Sequence, residues 1–408
     1  MLENLQHKKI AILGMGVNNL KLMEYFKAKG IGFEVIEAWK SPEELVGKLD
    51  NYDVIFRTPG LPYLSGAVQQ ALKKGVEITS QTKLFFQLCP APIIGVTGTK
   101  GKGTTASLIA RILEASGRKT WLAGNIGRDP FEFLDSIRSS DSVIMELSSF
   151  QLQDLHQSPH IAVVLNITSD HLTHHKSVDE YIRAKLSIIE HQQPDDLAVM
   201  DSRLPDWFKT AGSGKKIFFD PQTVSDYQTQ LIGKHYLENI AAAVDVSKLL
   251  GVDDATIKKA VAEFEALPHR LKVVREAEAI TYIDDAYSTN VEPTIAAIDA
   301  IKTPLILITG GYDKHLEFSL LGKKILSATN LKALVVIGQV TDKILAATAG
   351  FKGKIMTGAR SMPEILTQAT SVAEAGDTIL FSPATSSFDL FRNETDRGDQ
   401  FVNVVNQL

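Results

Sequence analysis

The chain has 408 residues, of which 44% are hydrophobic and 22% charged, which is typical of a globular protein with two or three domains. Its formal charge of -5, from 43 basic and 48 acidic residues, excludes a broadly basic surface for nucleic acid or anionic membranes. A single cysteine, Cys89, excludes an internal disulfide. No apolar run reaches the length of a membrane span, and the N-terminus lacks a signal-peptide core. We therefore expect a cytoplasmic protein.

Three blocks of alternating strands and helices follow one another, which predicts an α/β protein with parallel sheets and right-handed crossovers. The blocks span residues 1–89, 90–268 and 269–408. The predicted strands are at residues 9–13, 33–36, 54–56, 76–79, 93–96, 142–147, 161–167, 280–283, 305–309, 333–337 and 378–381. In the first block, Gly14 and Gly16 resemble part of a dinucleotide fingerprint, but Asn19 stands at the third glycine position. A tight turn without ligand therefore stays open as an alternative there.

A glycine-rich loop, GVTGTKGKGTT at residues 95–105, joins a predicted strand to a predicted helix at residues 105–116. Loop N–H groups, the helix N-terminus and a lysine together favour a nucleotide phosphate. Gly103 stands where a Ser or Thr usually follows the lysine, and a turn without ligand is the alternative. The predicted nucleotide ligands from this loop are Gly98, Thr99, Lys100, Gly101, Lys102, Gly103, Thr104 and Thr105.

Polar residues at the ends of the next two strands predict a metal site beside this loop. Glu146 ends one strand and His171 follows the other, where the carboxyl ends of parallel strands meet. A solvated strand end is the alternative for Glu146, and zinc held by His171, His174 and His175 is the alternative for the histidines.

A capping box of Ser177 and Glu180 predicts a helix that carries Lys185 on the same face as Tyr181. A lysine on a mostly apolar face near a metal site is a candidate for altered ionisation or covalent modification. The ordinary alternative is a lysine that extends along that face into water.

Three polar segments follow strands of the third block, at residues 283–290, 310–314 and 382–387. Because such positions meet at one edge of a parallel sheet, we expect them to form a binding site. Asp, Asn, Ser and Gly also favour turns, so ordinary loop chemistry is the alternative.

Taken together, these motifs resemble the Mur ligases, and the resemblance runs from residues 12–16 to residues 397–401. The loop motif TGTKGK is shared with folylpolyglutamate synthases. The segments GNIG at 124–127, ELSSFQL at 146–152, LPHR at 267–270 and GGYDK at 310–314 resemble the D-glutamate-adding branch. The resemblance implies a Rossmann-like UDP-binding domain at residues 1–89, a central ATPase domain at 90–268 and a Rossmann-like amino-acid-binding domain at 269–408.

The resemblance also implies a reaction in peptidoglycan synthesis. ATP and Mg²⁺ would activate UDP-N-acetylmuramoyl-L-alanine as an acyl phosphate, which D-glutamate would attack to give an amide. The enzyme would be monomeric. A ligase for another amino acid or for folate, and a nucleotide-binding relative without activity, remain alternatives. The segment SSFQ at residues 148–151 argues against folate.

By position, the resemblance gives roles to individual residues. Lys102 would contact the ATP phosphates, Thr104 or Thr105 would lie near the first magnesium, and Glu146 and His171 would bind metal. Lys185 would be carbamylated and bind magnesium. The implied nucleotide contacts outside the loop are Asn239 with adenine, Arg270 with a phosphate and Asp285 with the ribose. The implied substrate contacts are Thr58 and Gly60 for the UDP diphosphate, Asn125 and Gln151 for the muramoyl part, and Thr289, Lys314, Ser387 and Phe388 for D-glutamate.

Gly103, the segment VNN at residues 17–19, Tyr287 and Glu394 depart from the pattern of the family. Tyr287 stands where a lysine is common, and Glu394 replaces an apolar residue near the amino-acid pocket. A carboxylate there would repel a glutamate side chain unless it points away or pairs with Arg392 or Arg397.

Overall fold

The computed structural model describes residues 2–37, 39–58, 60–168 and 177–408. His171, His174 and His175 therefore lie outside the described residues, so the predicted metal role of His171 and its zinc alternative stay predictions. The chain forms two compact units. Unit 1 contains Met1–Tyr227 and Glu238–Val261, and unit 2 contains Gln228–Leu237 and Ala262–Leu408.

The first sheet of unit 1 has four parallel strands in the order β2-β1-β3-β4. Its strands are β1 Ile10–Leu13, β2 Glu34–Ile36, β3 Val54–Phe56 and β4 Glu77–Thr79. Its helices are α1 Leu2–Leu5, α2 Val17–Ala28, α3 Gly66–Lys73 and α4 Gln81–Leu88, with 3₁₀ turns at Pro42–Leu45 and Leu49–Asn51. All four predicted strands of this block are confirmed.

The turn after β1 is held by the side chain that breaks the dinucleotide fingerprint. Asn19 is buried, and its amide donates to the carbonyl oxygens of Leu13 at 2.8 Å and Gly14 at 3.1 Å. Gly14 has a φ of 76°, which a glycine adopts without strain. Asn19 therefore stabilises a tight strand-to-helix turn.

The central sheet of unit 1 has six parallel strands in the order β10-β9-β8-β5-β7-β6. The strands are β5 Ile93–Thr97, β6 Thr120–Gly124, β7 Ser142–Glu146, β8 Ile161–Val164, β9 Leu197–Met200 and β10 Lys215–Phe218. The helices from this block are α5 Lys102–Ala115, α6 Ser149–Leu152, α7 Val178–Glu190, α8 Asp206–Lys209, α9 Tyr236–Leu249 and α10 Asp254–Glu263. Short 3₁₀ turns occur at Pro130–Glu132, Leu134–Ser136 and Pro221–Val224.

The two sheets of unit 1 share one hydrophobic core. A single cluster of buried side chains includes Phe26 beside the first sheet and Val143 and Ile188 in and beside the central sheet. The rings of Tyr25 and Phe131 meet edge to face across this contact, with centroids 5.1 Å apart. The domain boundary expected near residue 89 stays a prediction, because both sheets lie in one compact unit.

Unit 2 contains a six-stranded sheet in the order β11-β12-β16-β13-β14-β15, in which only the β11 and β12 pair is antiparallel. The strands are β11 Lys272–Ala277, β12 Ile280–Asp284, β13 Leu305–Gly310, β14 Leu331–Ile337, β15 Lys354–Met356 and β16 Thr378–Phe381. The helices are α11 Val291–Ala300, α12 Ser319–Ser327, α13 Thr341–Ala347, α14 Met362–Thr370 and α15 Glu394–Val405. The α/β class with parallel sheets is confirmed. No helix in the described part of the chain is both long and apolar enough to cross a membrane.

Candidate active site

The glycine-rich loop lies between β5 and α5, at the carboxyl edge of the central sheet. Gly101 has a φ of 82°, and a Cβ atom there would come within 2.1 Å of the Asn239 amide oxygen. At Gly98, with a φ of 150°, a Cβ atom would lie 2.7 Å from the Leu165 side chain. Any larger residue at either position would clash with these neighbouring side chains, so both positions require glycine. Asn239, the predicted adenine contact, packs directly on the loop.

Helix α5 begins at Lys102, three residues before the predicted start at residue 105. The predicted start was wrong because Gly101 takes the left-handed conformation that precedes the helix. Lys102, Gly103 and Thr104 consequently form the first turn, where unpaired N–H groups and the positive end of the helix dipole attract anions.

The loop is fixed to the segment that follows β8. The Thr99 N–H donates to the Asn166 carbonyl at 2.9 Å. Its hydroxyl accepts from the Thr168 N–H at 2.9 Å and lies 3.2 Å from the Tyr181 hydroxyl. These contacts fix the conformation of the loop in the absence of ligand. The loop therefore loses less conformational entropy when it binds a phosphate group.

Lys102 and Glu146 come together at the mouth of the loop. The Lys102 ammonium donates to the Thr99 carbonyl at 3.1 Å and lies 3.8 Å from a Glu146 carboxylate oxygen. Glu146 is only 5% exposed, so the alternative of a solvated strand end is wrong. A cation beside a buried carboxylate suits a site that holds phosphate oxygens and a divalent metal together.

Lys185 is buried beneath the same loop. It is 1% exposed, and its ammonium donates to the Gly98 carbonyl at 3.1 Å and the Thr97 hydroxyl at 3.4 Å. Lys185 lies on helix α7. The N-cap of this helix is Ser177, whose hydroxyl accepts a hydrogen bond from the Glu180 N–H at 3.1 Å. The alternative that Lys185 extends into water is wrong.

Hydroxyl groups suited to a metal stand in the first turns of α5. Thr104 is buried, and the Thr105 hydroxyl oxygen is buried without a hydrogen-bond partner among the described residues. A ligand bound at the start of α5 would supply that partner. Within residues 2–37, 39–58, 60–168 and 177–408, no group of three or more His, Cys, Asp or Glu side chains is arranged to hold a metal.

The predicted muramoyl contacts also meet at this edge. Asn125 donates its side-chain amide to the Gln151 side-chain oxygen at 3.1 Å. The same oxygen accepts from the Ser148 N–H at 2.9 Å within a capping box that starts α6. Thr58 and Gly60 lie in the loop that follows β3, at the carboxyl edge of the first sheet.

Unit 2 has a cleft of about 550 Å³ at the carboxyl edge of its own sheet. The predicted contacts Arg270, Thr289, Lys314 and Phe388 line it. Its other lining residues are Tyr287, Tyr312, Ser386 and Glu394. Sequence reasoning missed Tyr312 and Ser386 as site residues, although each lies within a motif that follows a strand and carries a predicted contact.

The cleft contains both signs of charge. The Lys314 ammonium donates to the Asn290 side chain at 2.9 Å, and the Arg270 guanidinium lies over the Tyr287 ring at 5.3 Å from its centroid. Glu394 begins helix α15 and lines the same cleft. Arg392 does not neutralise it, because that guanidinium pairs with Asp396 at 2.8 Å.

Two predicted contacts of unit 2 are buried behind this cleft. Asp285 accepts hydrogen bonds from the Leu271 N–H at 3.1 Å, the Ser382 hydroxyl at 2.7 Å and the Ser288 hydroxyl. Burial raises its pKa to about 7. The Ser387 side chain is fully buried, and its hydroxyl has no hydrogen-bond partner among the described residues. Both carboxylate oxygens of Asp285 already accept hydrogen bonds from the protein, and its contact with ribose stays a prediction.

Arg397 holds the loops behind the cleft together. Its guanidinium is fully buried and donates to the carbonyl oxygens of Thr385 at 3.0 Å and Ala286 at 2.7 Å. Desolvation lowers its pKa to about 10. Next to it, the His269 ring lies 2.6 Å from Asp284, which raises the pKa of that histidine.

A parallel sheet with a glycine loop, a helix N-terminus and converging Lys and Glu side chains defines a nucleotide-dependent enzyme that transfers phosphate. The family comparisons narrow this class. The profile for the Mur ligase middle domain matches residues 96–217, and the profile for the Mur ligase glutamate ligase domain matches residues 269–385.

Full-length relatives give the same assignment. The chain is 33% identical to the UDP-N-acetylmuramoylalanine–D-glutamate ligase of Acetivibrio thermocellus, over 100% of this chain and 98% of that one. It is 32% identical to the ligase of the same name from Symbiobacterium thermophilum, over 98% of both chains. The chain belongs to the Mur ligase family, and it is an ATP- and Mg²⁺-dependent enzyme that forms amide bonds.

Solved structures share the fold. The MurF ligase of Thermotoga maritima in complex with ADP superposes with a TM-score of 0.62 at 17% identity, over 100% of this chain and 96% of that one. MurF from Acinetobacter baumannii gives a TM-score of 0.65 at 16% identity, over 99% and 100% of the two chains.

Proposed function

We propose that this enzyme joins D-glutamate to UDP-N-acetylmuramoyl-L-alanine in peptidoglycan synthesis, with ATP as the co-substrate. The observation that carries the proposal is the convergence of Lys102, Glu146 and buried Lys185 on one glycine loop. The names of the two full-length relatives support the choice of substrates. A cytoplasmic location and a monomeric state stay predictions.

The first step transfers a phosphoryl group to a carboxylate. An oxygen of the alanine carboxylate attacks the γ-phosphorus of ATP, the bond to the β-phosphate oxygen breaks, and ADP leaves. Negative charge builds up on the transferring group between two anions, so nearby positive charge lowers the barrier. Lys102 supplies that charge, and the N–H groups at the start of α5 hold the phosphates in line.

The residues beside the loop fit a divalent metal. Thr104 or Thr105, Glu146, His171 and a carbamylated Lys185 would hold Mg²⁺, and the chemistry it supplies when bound is neutralisation of phosphate charge. The buried Lys185 side chain would form the carbamate by adding its nitrogen to carbon dioxide, with release of two protons from the ammonium group. The lysine side chain would thereby become an anionic ligand.

The second step forms the amide. The ammonium group of D-glutamate loses a proton to solvent, the amine attacks the carbonyl carbon of the acyl phosphate, and the nitrogen then releases a second proton as the C–N bond becomes an amide. The bond from that carbon to the phosphate oxygen then breaks, and inorganic phosphate leaves. Lys314 gives the cleft of unit 2 a positive charge that attracts a carboxylate of glutamate, and Arg270, which we assign to an ATP phosphate, lines the same cleft. Thr289, Ser387 and Phe388 are the further contacts that we assign to this amino acid.

An isotope experiment tests the acyl phosphate. The precursor carries ¹⁸O in its alanine carboxylate and is incubated with ATP, Mg²⁺ and D-glutamate. One ¹⁸O atom should appear in inorganic phosphate, because the carboxylate oxygen becomes the bridging oxygen that leaves. Amide formation with unlabelled phosphate would overturn the proposed route.

A further inference from the structure

A buried ion pair connects the two sheets of unit 1 at their substrate-facing edges. The Arg57 guanidinium donates to the Asp154 carboxylate at 2.7 Å, and the two side chains are 2% and 0% exposed. Arg57 directly follows β3, and Asp154 lies just beyond α6. The pair is separated by 97 positions in the chain.

Arg57 also ties down the backbone on both sides of the pair. One terminal nitrogen donates to the carbonyl oxygens of Leu61 at 2.9 Å and Thr58 at 3.4 Å. The other donates to the Phe150 carbonyl at 3.0 Å as well as to Asp154. A single planar guanidinium thus bonds the loop with Thr58 and Gly60 to the segment with Phe150 and Gln151.

The pair borders a small polar hollow. Arg57, Phe150 and Gln151 line this hollow together with Asn19, Ser80 and Gln81. Gln151 in turn holds the Asn125 amide at 3.1 Å. Arg57 is therefore the first residue of the loop that we assign to the diphosphate. It also contacts the segment that we assign to the muramoyl part of the precursor.

Stability alone explains this arrangement poorly. The Arg57 Nε atom and the second Asp154 oxygen are buried without hydrogen-bond partners among the described residues. Buried ion pairs are often no more stabilising than apolar side chains of similar size, because desolvation offsets their attraction. An ion pair with unbonded polar atoms contributes even less to stability. A role in holding the two backbone segments at a fixed distance therefore accounts for the pair better.

We propose that Arg57 is a positioning residue that fixes the distance between the diphosphate loop and the Phe150–Gln151 segment, and so sets the affinity for the nucleotide-sugar precursor. The proposal rests on the proposed function, because that function assigns the precursor to these two segments. The proposed function assigns ATP to the loop before α5, whereas the hydrogen bonds of Arg57 go to residues 58, 61, 150 and 154. ATP binding should therefore not depend on Arg57.

The principal test uses Arg57→Met combined with Asp154→Leu, which replaces both charges by apolar side chains of similar size. Calorimetric titration with UDP-N-acetylmuramoyl-L-alanine alone gives the dissociation constant, and steady-state kinetics give KM for the precursor and for ATP. We expect a thermal midpoint close to that of the wild type, a precursor Kd at least tenfold higher, and a KM for ATP within twofold. The value of kcat at saturating precursor should change by less than threefold.

Two further variants keep the test decisive if the double variant does not fold. Arg57→Lys retains a positive charge for Asp154, but one ammonium cannot reproduce the planar fork that reaches both backbones, so we expect weaker precursor binding. Lys29→Met is the matched control, because Lys29 joins the same two sheets through Asp135 at 2.8 Å on the surface. It should leave the precursor Kd unchanged.

The outcomes separate the two proposals. Wild-type protein that fails to bind the precursor overturns the proposed function and this inference together. Wild-type binding with an unchanged Kd in a folded Arg57 variant overturns this inference alone. Equal losses of precursor and ATP affinity would show a general structural effect and would also overturn it.

Discussion

Replacement of Asp285 by asparagine is expected to remove a large part of the pH dependence of stability in unit 2. Burial raises the pKa of Asp285 from 3.8 to about 7. The folded protein therefore keeps this proton up to about pH 7, whereas the unfolded chain loses it near pH 4. Between these values the folded state binds more protons, so the free energy of unfolding falls as pH rises.

The expected change in the free energy of unfolding follows from the pH range between 5 and the folded-state pKa of about 7. About two pH units at 1.36 kcal/mol each give a loss of about 3 kcal/mol between pH 5 and pH 8 from this carboxyl group alone. Asparagine has a similar shape and does not ionise, so Asp285→Asn should lack this loss. The neighbouring His269, whose raised pKa also makes stability fall as pH rises, is present in both proteins and largely cancels in the comparison.

Urea unfolding at pH 5 and pH 8, followed by far-ultraviolet circular dichroism, measures this difference. Tryptophan fluorescence reports on unit 1 only, because Trp39, Trp121 and Trp207 all lie there. Asp313→Asn is the matched control, since Lys343 lowers the pKa of that carboxyl and it stays ionised throughout this range. An Asp285→Asn protein with the same pH dependence as the wild type would refute the reasoning.

Three substitutions test the site residues directly. Lys102→Ala should lower kcat by about 10²–10³, the usual effect of losing one electrostatic contact to a transition state, and a normal rate would contradict its role at the phosphates. Lys185→Ala should abolish turnover while the circular dichroism spectrum is retained, and an active variant would contradict the carbamate proposal. Glu394→Gln should lower KM for D-glutamate about two- to fivefold, because a partly exposed like charge costs up to about 1 kcal/mol; an unchanged KM would mean that Glu394 does not face the bound amino acid.

The main elements of the fold could be predicted because most buried strands are short apolar runs. Such runs mark β5, β7 and β13, and all the predicted strands are present. Strand β10 was missed because it is an edge strand that begins with Lys215 and Lys216 and is largely exposed. Strand β11, which forms a hairpin with the predicted β12, was missed because Glu278 and Ala279 take the left-handed conformation in the turn, where glycine or asparagine is the usual signal.

The candidate site was partly predictable for a similar reason. Parallel strands bring their carboxyl ends to one edge, so Thr289 and Lys314 could be expected to meet although they are distant in sequence. Arg270 precedes β11, and the antiparallel pairing of β11 with β12 brings it to the same edge. Burial could not be predicted in this way. The burial of Asp285 depends on packing among several loops, and so does the pairing of Arg57 with Asp154.

The central claim is tested most directly by product formation with a panel of amino acids. The protein is incubated with ATP, Mg²⁺ and UDP-N-acetylmuramoyl-L-alanine, and each amino acid is added separately before mass spectrometry. We expect an amide product and one equivalent of ADP with D-glutamate, and little product with L-glutamate or with amino acids that lack an acidic side chain. The absence of product with every amino acid, in protein that still binds ATP, would contradict the ligase assignment, and product with another amino acid alone would contradict the assignment of D-glutamate.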